Sequence, residues 1–348
     1  IAVSRISETS RSLGLELSQV IHPDLNLVRD IIATSVDNAG IDKSIKTNIE
    51  IAKLRGVTEL DDSFNEDALV IYEKRKPDQF FNVSTNNRLR FQPFIASREE
   101  FFKGALLVEN DTELTMGENL FFNTNLKYSI YNNFGDLRFE SQYTAPAQVR
   151  SDVKDYLKNM DKGVLIGRAQ LDYHLSPTRD HHFMFSGGIL ENMFSGIGME
   201  YLYFKQETNY AFGIEAFSVR KRDYQWRFGH LDYKNNMVKG NFYLRNYGSI
   251  PFDMKISAGE YLAGDKGFTI EFSRTYEGGL RLGAFASFTN VSTEDFGEGS
   301  FDKGIFFSIP IFGNMIDYTW KPLTKDPAAT LVRRTNLHSL LVKLRPLN

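Results

Sequence analysis

The chain has 348 residues, a formal charge of −3 and no cysteine. This excludes a disulfide framework and a thiolate metal site, and it argues against a dedicated nucleic-acid binder, which would carry a strong basic excess. Mean hydropathy is an ordinary −0.33, so the unusual feature is aromatic content: 14%, with 29 Phe and 16 Tyr against only 2 Trp.

The opening IAVSRISETS carries no Met, basic n-region or apolar h-region, so a mature or truncated product is expected. Asp24 is placed to cap a helix through about Val36, with Leu25, Val28, Ile31 and Ile32 on one face. Asn38-Ala39-Gly40 ends it. A second helix is expected over 44–54, an acidic loop over 61–67 and a short strand over 68–72. Residues 1–76 are therefore read as a small α/β periplasmic or linker segment, itself partial.

From about residue 78 the period becomes two. Asn123, Asn125, Lys127 and Ser129 alternate with Phe122, Thr124, Leu126, Tyr128 and Ile130. Lys239, Asn241, Tyr243 and Arg245 alternate with Val238, Phe242 and Leu244, and Thr269, Glu271 and Ser273 with Phe268, Ile270 and Phe272. Turn signals stand at Asn132-Asn133, Asn235-Asn236, 263–265 and 277–279. About 14 strands are expected over 77–348, each of about 9 to 13 residues, the length of a tilted membrane strand. A long connection, 135–162, holds a short helix near 149–157.

Charged residues in mid-strand suit a wet interior, and Tyr and Phe near strand ends suit an interfacial girdle. The fold class expected is all-β, an antiparallel outer-membrane barrel preceded by the small α/β segment. The alternative is a soluble β module with solvated charged faces. The longest uncharged run, 304–316, contains Pro310 and is shorter than the ~18 residues of a helical span. The chain ends LVKLRPLN rather than on an aromatic residue, so the last span is expected earlier, around 316–322, with a tail after it.

The segment GEYLAGDKGFTIEFSRTYEGGLRLGAFASFTNVSTEDFGEGSFDKGIFFSIP (259–310) resembles the signature region of the YjbH-type exopolysaccharide and capsule biogenesis proteins. TWKPLTKDPAATL (319–331) resembles that family's closing motif, and VRKRDYQWRFGHLDY (219–233) and ENMFSGIGMEYLY (191–203) are also similar. Together the matches cover residues from about 80 to about 335, in order. The resemblance implies a Gram-negative outer-membrane location, a role in polysaccharide export or assembly, and protein partners in the periplasm or outer membrane. Family members are lipoproteins larger than this chain; the lipobox Cys is not in this sequence, so the anchor is not carried over.

Within 296–304, Glu298, Asp302 and Lys303 are expected on a tight loop, read either as a glycan-binding or constricting loop of the lumen or as an ordinary turn whose glycines supply positive φ. Arg274 and Arg281 are expected to pair with Glu271, Asp295 or Glu298 across the interior. Arg220, Lys221, Arg222 and Arg227 form a rim cluster, either facing lipopolysaccharide phosphates or an anionic polymer, or simply solvated. Catalysis is not expected. Glu298 and Asp302 are a carboxylate pair of the kind that cleaves glycosides, but 44 acidic residues make such pairs common by chance. His181-His182 would point to opposite faces of a strand. No P-loop, Rossmann fingerprint or nucleophile–base pair stands out, and 61–67 lacks EF-hand spacing. No cofactor, metal or nucleic acid is expected. Three classes follow: a non-catalytic barrel in polysaccharide export, a soluble lectin-like module, and an outer-membrane enzyme acting on lipid or glycan.

Overall fold

The computed structural model describes residues 2–19, 25–51, 58–60, 69–73, 81–94, 103–117, 119–137, 147–178, 180–205, 208–246, 250–276, 278–296, 301–311, 316–322 and 326–342. Asp24 and the acidic run 61–67 lie outside these residues.

The first unit is a five-stranded sheet in the order β4-β3-β2-β1-β5: β1 (Ala2–Glu8), β2 (Ser12–Gln19), β3 (Ser44–Ile51), β4 (Thr58–Leu60) and β5 (Leu69–Glu73). Helix α1 (Leu25–Asn38) carries the chain from β2 to its parallel neighbour β3, a connection such a pair requires. It buries Ile32 and Val36 and stops at Gly40, whose φ of +68° suits glycine. The helix expected over 44–54 is instead β3. Ile45, Thr47, Ile49 and Ile51 recur at period two, and β-branching favours the pleated strand.

The second unit is one antiparallel sheet of thirteen strands in which each pairs with its sequence neighbour: β6 (Phe81–Phe94), β7 (Lys103–Met116), β8 (Leu120–Asn132), β9 (Val164–Leu175), β10 (His181–Ile189), β11 (Phe194–Phe204), β12 (Tyr210–Arg222), β13 (His230–Asn246), β14 (Phe252–Glu260), β15 (Lys266–Thr275), β16 (Arg281–Thr289), β17 (Asp302–Ile311) and β18 (Ile316–Trp320). The described residues also hold three short helices, α2 (Val153–Leu157), α3 (Thr293–Phe296) and α4 (Leu337–Val342). Among the described residues the count is thirteen against the expected about fourteen, and no pairing joins β18 to β6. Two turn expectations also change. Asn235-Asn236 lies inside β13, opposite Val219 and Ser218, and 302–304 already belongs to β17.

The polarity of this sheet is inverted relative to a water-soluble core. Alternate residues on its outer face are apolar and uncovered, with Ile197 at 68% and Ile305 at 64% exposure. The opposite face buries polar groups: Glu109 at 0%, Glu200 at 2%, and Asn123, Lys127, Gln170, Asp172, Lys239, Asn241 and Ser257. The sheet curls around this polar face. The adjacent residues Arg333 and Arg334 reach Glu215 on β12 and Glu113 on β7. Those strands stand five apart in the sheet order, about 24 Å on a flat sheet at roughly 4.8 Å per strand. Arg333 and Arg334 thus reach the same face of strands far apart in the sheet, as a segment lying in the concavity of a curled sheet does.

The two ends differ. Connections 117–119, 176–180, 205–209, 247–251 and 276–280 stand at one end; 190–193, 223–229, 261–265 and the two long ones, 133–163 and 290–301, stand at the other. At the long-connection end Phe134, Leu137, Val149, Tyr156, Leu157, Met160, Trp226 and Leu262 form one buried cluster over the polar interior. At the short-turn end Met184, Leu202 and Ala211 share a second cluster with Leu13, Leu15, Leu17, Ile32 and Val36 of the first unit.

Candidate functional site

The polar face is wired by strand register. Glu109 sits directly opposite Arg88 on β6 and Lys127 on β8, and meets them at 3.1 and 3.4 Å. Arg90 adds a contact at 3.3 Å. The Asp172 carboxylate accepts from Asn123 (3.0 Å), Gln170 (2.6 Å) and Ser186 (2.6 Å). Lys239 is opposite Glu215 and bonds it at 2.9 Å. One pair conflicts: Glu200 on β11 stands directly opposite Glu215 on β12. Like charges facing each other across strands are destabilising.

The conflict is resolved by a segment that sequence reasoning left as a tail. After β18 the chain turns back, and 326–342 runs through the polar interior from the long-connection end toward the short-turn end. Asp326 anchors its start, accepting the N–H groups of Val149 (2.8 Å), Arg150 (2.7 Å) and Ser151 (2.9 Å) and the Ser151 hydroxyl (2.6 Å). Arg150 makes a two-pronged pair with Glu191 (2.7 and 2.9 Å), and Glu191 accepts the Val332 N–H at 2.6 Å. Arg333 then forks between the opposed carboxylates, at 2.9 Å to Glu200 and 2.7 Å to Glu215. Leu337, fully buried, donates its N–H to Glu200 at 3.2 Å, and His338 stacks on Tyr243 at 3.7 Å and 9°. We call 326–342 the strap.

A cavity of about 260 Å³ remains beside the strap, lined among others by Lys239, Lys255, Lys321, Glu271, Asp302 and Tyr261. That is below the ~300–1,000 Å³ of ordinary small-molecule pockets. Its charges are largely spent within the protein: Glu271 meets Lys321 at 2.8 Å and Arg281 at 3.5 Å. Among the described residues no three His, Cys, Asp or Glu side chains are grouped to hold a metal.

At the long-connection end the loops interlock. Tyr156 donates to the Arg222 carbonyl (2.6 Å), and the Trp226 indole donates to the Tyr156 carbonyl (2.8 Å). Burial, with Asp152 nearby, holds both the Tyr156 and Tyr224 phenols well above the ordinary range, so they act as neutral donors. Asp265, in the turn after β14, accepts the Ala328 N–H at 2.7 Å; burial pushes its carboxyl up against that bond.

The residues singled out by sequence fall in different places. Glu271 and Asp302 line the cavity, and the exposed Arg281 reaches Glu271 at 3.5 Å. Arg274 lies over the Tyr276 ring at 4.9 Å rather than pairing with Glu271. Lys303 is exposed and lies over Phe301, on the opposite face from Asp302. Glu298 lies outside the described residues. In the expected rim cluster only Arg220 and Arg227 are exposed. Lys221 is buried in an ion pair with Asp152 at 2.5 Å. Arg222, at 0% exposure, donates to the carbonyls of Ile166, Glu191, Asn192 and Arg227. Those two are structural cations: alternation along β12 turns Lys221 inward, and the register shift between Arg220 and Arg222 brings Arg222 under the loops. Sequence reasoning missed Arg150, Asp326 and Arg333. The available signal was Glu191 and Glu200, two carboxylates interrupting the otherwise apolar run 183–204.

Comparison with known proteins gives a match to the YjbH family, described as exopolysaccharide biosynthesis protein YbjH, over residues 26–343. The match begins well before the region where sequence motifs carried the resemblance. The chain is also 31% identical over 263 residues to an uncharacterized lipoprotein, YjbH, of Escherichia coli (strain K12). The alignment takes in 71% of this chain and 36% of that relative, so the chain spans just over a third of the relative's length. The inverted sheet with its threaded strap thus belongs to a member of the YjbH exopolysaccharide biosynthesis family.

Proposed function

We propose that this chain is a lipid-facing β-barrel wall of the bacterial outer membrane that serves polysaccharide biogenesis or export without catalysing a reaction. The observation that carries the reading is the inverted polarity of the thirteen-stranded sheet. Ile197, Ile214, Val238 and Ile305 stand uncovered outside, while Glu109, Asp172, Glu200 and Lys239 are buried inside. Water would penalise such an outer face, and hydrocarbon rewards it. The asymmetric ends agree: the side of the first unit carries short turns, as a periplasmic face does, and both long connections stand on the other. Unpaired strand edges are costly in lipid, so the reading requires β6 and β18 to be joined or covered in the membrane.

The strap fills the interior, so this region acts as a plugged, rigid scaffold rather than an open pore. Polymer or partner proteins meet it at its ends, and the rest of the full-length protein completes the export function. Glu109, Asp172, Glu191, Glu200, Glu215 and Glu271 are each held by structural partners, which favours a non-catalytic role. The test is fractionation of the full-length protein, with boiled and unboiled detergent extracts compared on gels, and secreted polysaccharide measured in a deletion strain. An outer-membrane band that shifts on boiling, with altered polymer output on deletion, supports the reading. A soluble periplasmic protein without a shift contradicts it and favours the lectin-like module.

A further inference from the structure

The outer face carries one groove that the plugged scaffold does not use. It has a volume of about 880 Å³ and lies across the ends of β9 to β13 on the long-connection side. Its floor is built of small residues, Ala169, Gly188, Ser195, Gly196 and Ser218, which leave a depression between larger neighbours. The depression is fixed by backbone: a Cβ on Gly196 would sit 2.2 Å from the Ser218 carbonyl, and Gly188 has φ +119°. Ile197 and Phe228, 68% and 72% exposed, form apolar walls. Ile214 and Val238 continue the apolar face away from it, toward the short-turn end.

The upper edge is basic. Arg220 and Lys234 stand directly opposite each other on β12 and β13, both exposed, with His230 beside them. Cross-strand like charges repel, yet among the described residues neither has a carboxylate partner; Arg220 Nε donates to the Leu231 carbonyl at 3.2 Å. Glu260, the acidic residue at the groove, lies 3.6 Å from Lys266. Two unneutralised cations therefore sit at the boundary where an apolar slot begins.

We propose that this groove binds a phosphorylated, acylated lipid of the outer leaflet, with its phosphate between Arg220 and Lys234 and an acyl chain over Ser195, Gly196 and Ser218. The inference rests on the membrane reading above. A phosphate bridging the two cations removes their repulsion and forms charge-assisted hydrogen bonds, and arginine suits phosphate geometry. The small-residue floor gives the chain a place that a smooth strand surface lacks. A soluble anionic polymer would use the cations but not the slot.

The test is native mass spectrometry of the full-length protein in detergent, titrated with bis-phosphorylated lipid A, with phosphatidylcholine and with dextran sulfate. The parent is expected to retain lipid A in preference to phosphatidylcholine. Arg220→Gln with Lys234→Gln lowers lipid A retention about tenfold or more, as loss of charge-assisted bonds predicts. Ser218→Trp, which fills the slot and keeps both charges, lowers it as well. Equal retention of lipid A and phosphatidylcholine overturns the proposal, as does dextran sulfate binding that Ser218→Trp leaves intact while lipid A binding is absent. A heat-shifting outer-membrane protein with no lipid A preference defeats this inference alone; a protein absent from the membrane defeats the reading beneath it.

Discussion

Replacing Arg333 by Met should release the strap. Its guanidinium lies between Glu200 and Glu215, and all three side chains are nearly inaccessible, at 8%, 2% and 11%. Lys239 still neutralises Glu215 at 2.9 Å, so the change strands one buried charge, that of Glu200. Removing one partner of a buried ion pair costs about 3–5 kcal/mol, or about two to nearly four orders of magnitude at 1.4 kcal/mol per tenfold. The Leu337 N–H, bonded to Glu200, should exchange with deuterium faster by that factor. Glu200→Gln in the same chain removes the stranded charge and keeps an acceptor for Leu337, so the double variant should regain most of the protection. Unchanged exchange in Arg333→Met, or a double variant as fast as the single, would refute the reasoning.

Three further outcomes follow from the same geometry. Asp326→Ala leaves the N–H groups of Val149, Arg150 and Ser151 without their acceptor, at about 1–3 kcal/mol for each buried group. A large drop in melting temperature in detergent is expected, and fast exchange confined to 149–151 and 326–332. Arg222→Leu should cost at least about 3 kcal/mol by orphaning buried carbonyls, whereas Arg220→Gln, on the exposed face, should leave thermal stability within error. Equal effects would contradict the division of that cluster into buried and exposed halves. Asp265, its carboxyl raised by burial, contributes stability that is full below its ordinary pKa of about 3.9 and is lost as pH rises through the folded value. Asp265→Asn keeps an acceptor for Ala328, so the fall in stability between acid and neutral pH should shrink; an identical pH slope would count against it.

The strands were legible because period-two alternation is a local signal. β8, β13 and β15 can be read directly from residues such as Asn123/Phe122, Lys239/Val238 and Glu271/Phe272. The family was legible because long motifs recur in order. What local signal lacks is pairing across distance. Residues 44–51 carry enough charge and apolar spacing to pass for a helix, and their parallel partner β2 decides otherwise. Asn235-Asn236 has turn chemistry, yet Val219 and Ser218 hold it in register. Lys221 and Arg222 look like surface charges until Asp152 and four carbonyls, brought in by β9 and separate loops, surround them. The strap was the least legible feature, since its sequence has no strong period and its purpose exists only where Glu200 and Glu215 face each other.

On the membrane reading, the apolar face meets lipid and the polar face does not. The chain has no cysteine, so single-cysteine variants carry one label each. A spin label at Ile214→Cys, on the outer face, and one at Ser257→Cys, on the buried polar face, would be compared in reconstituted bilayers. The account predicts that Ile214→Cys is relaxed by lipid-dissolved oxygen and shielded from a water-soluble nickel chelate, while Ser257→Cys is shielded from oxygen. Relaxation of Ile214→Cys by the nickel chelate, as for a residue in water, would contradict it.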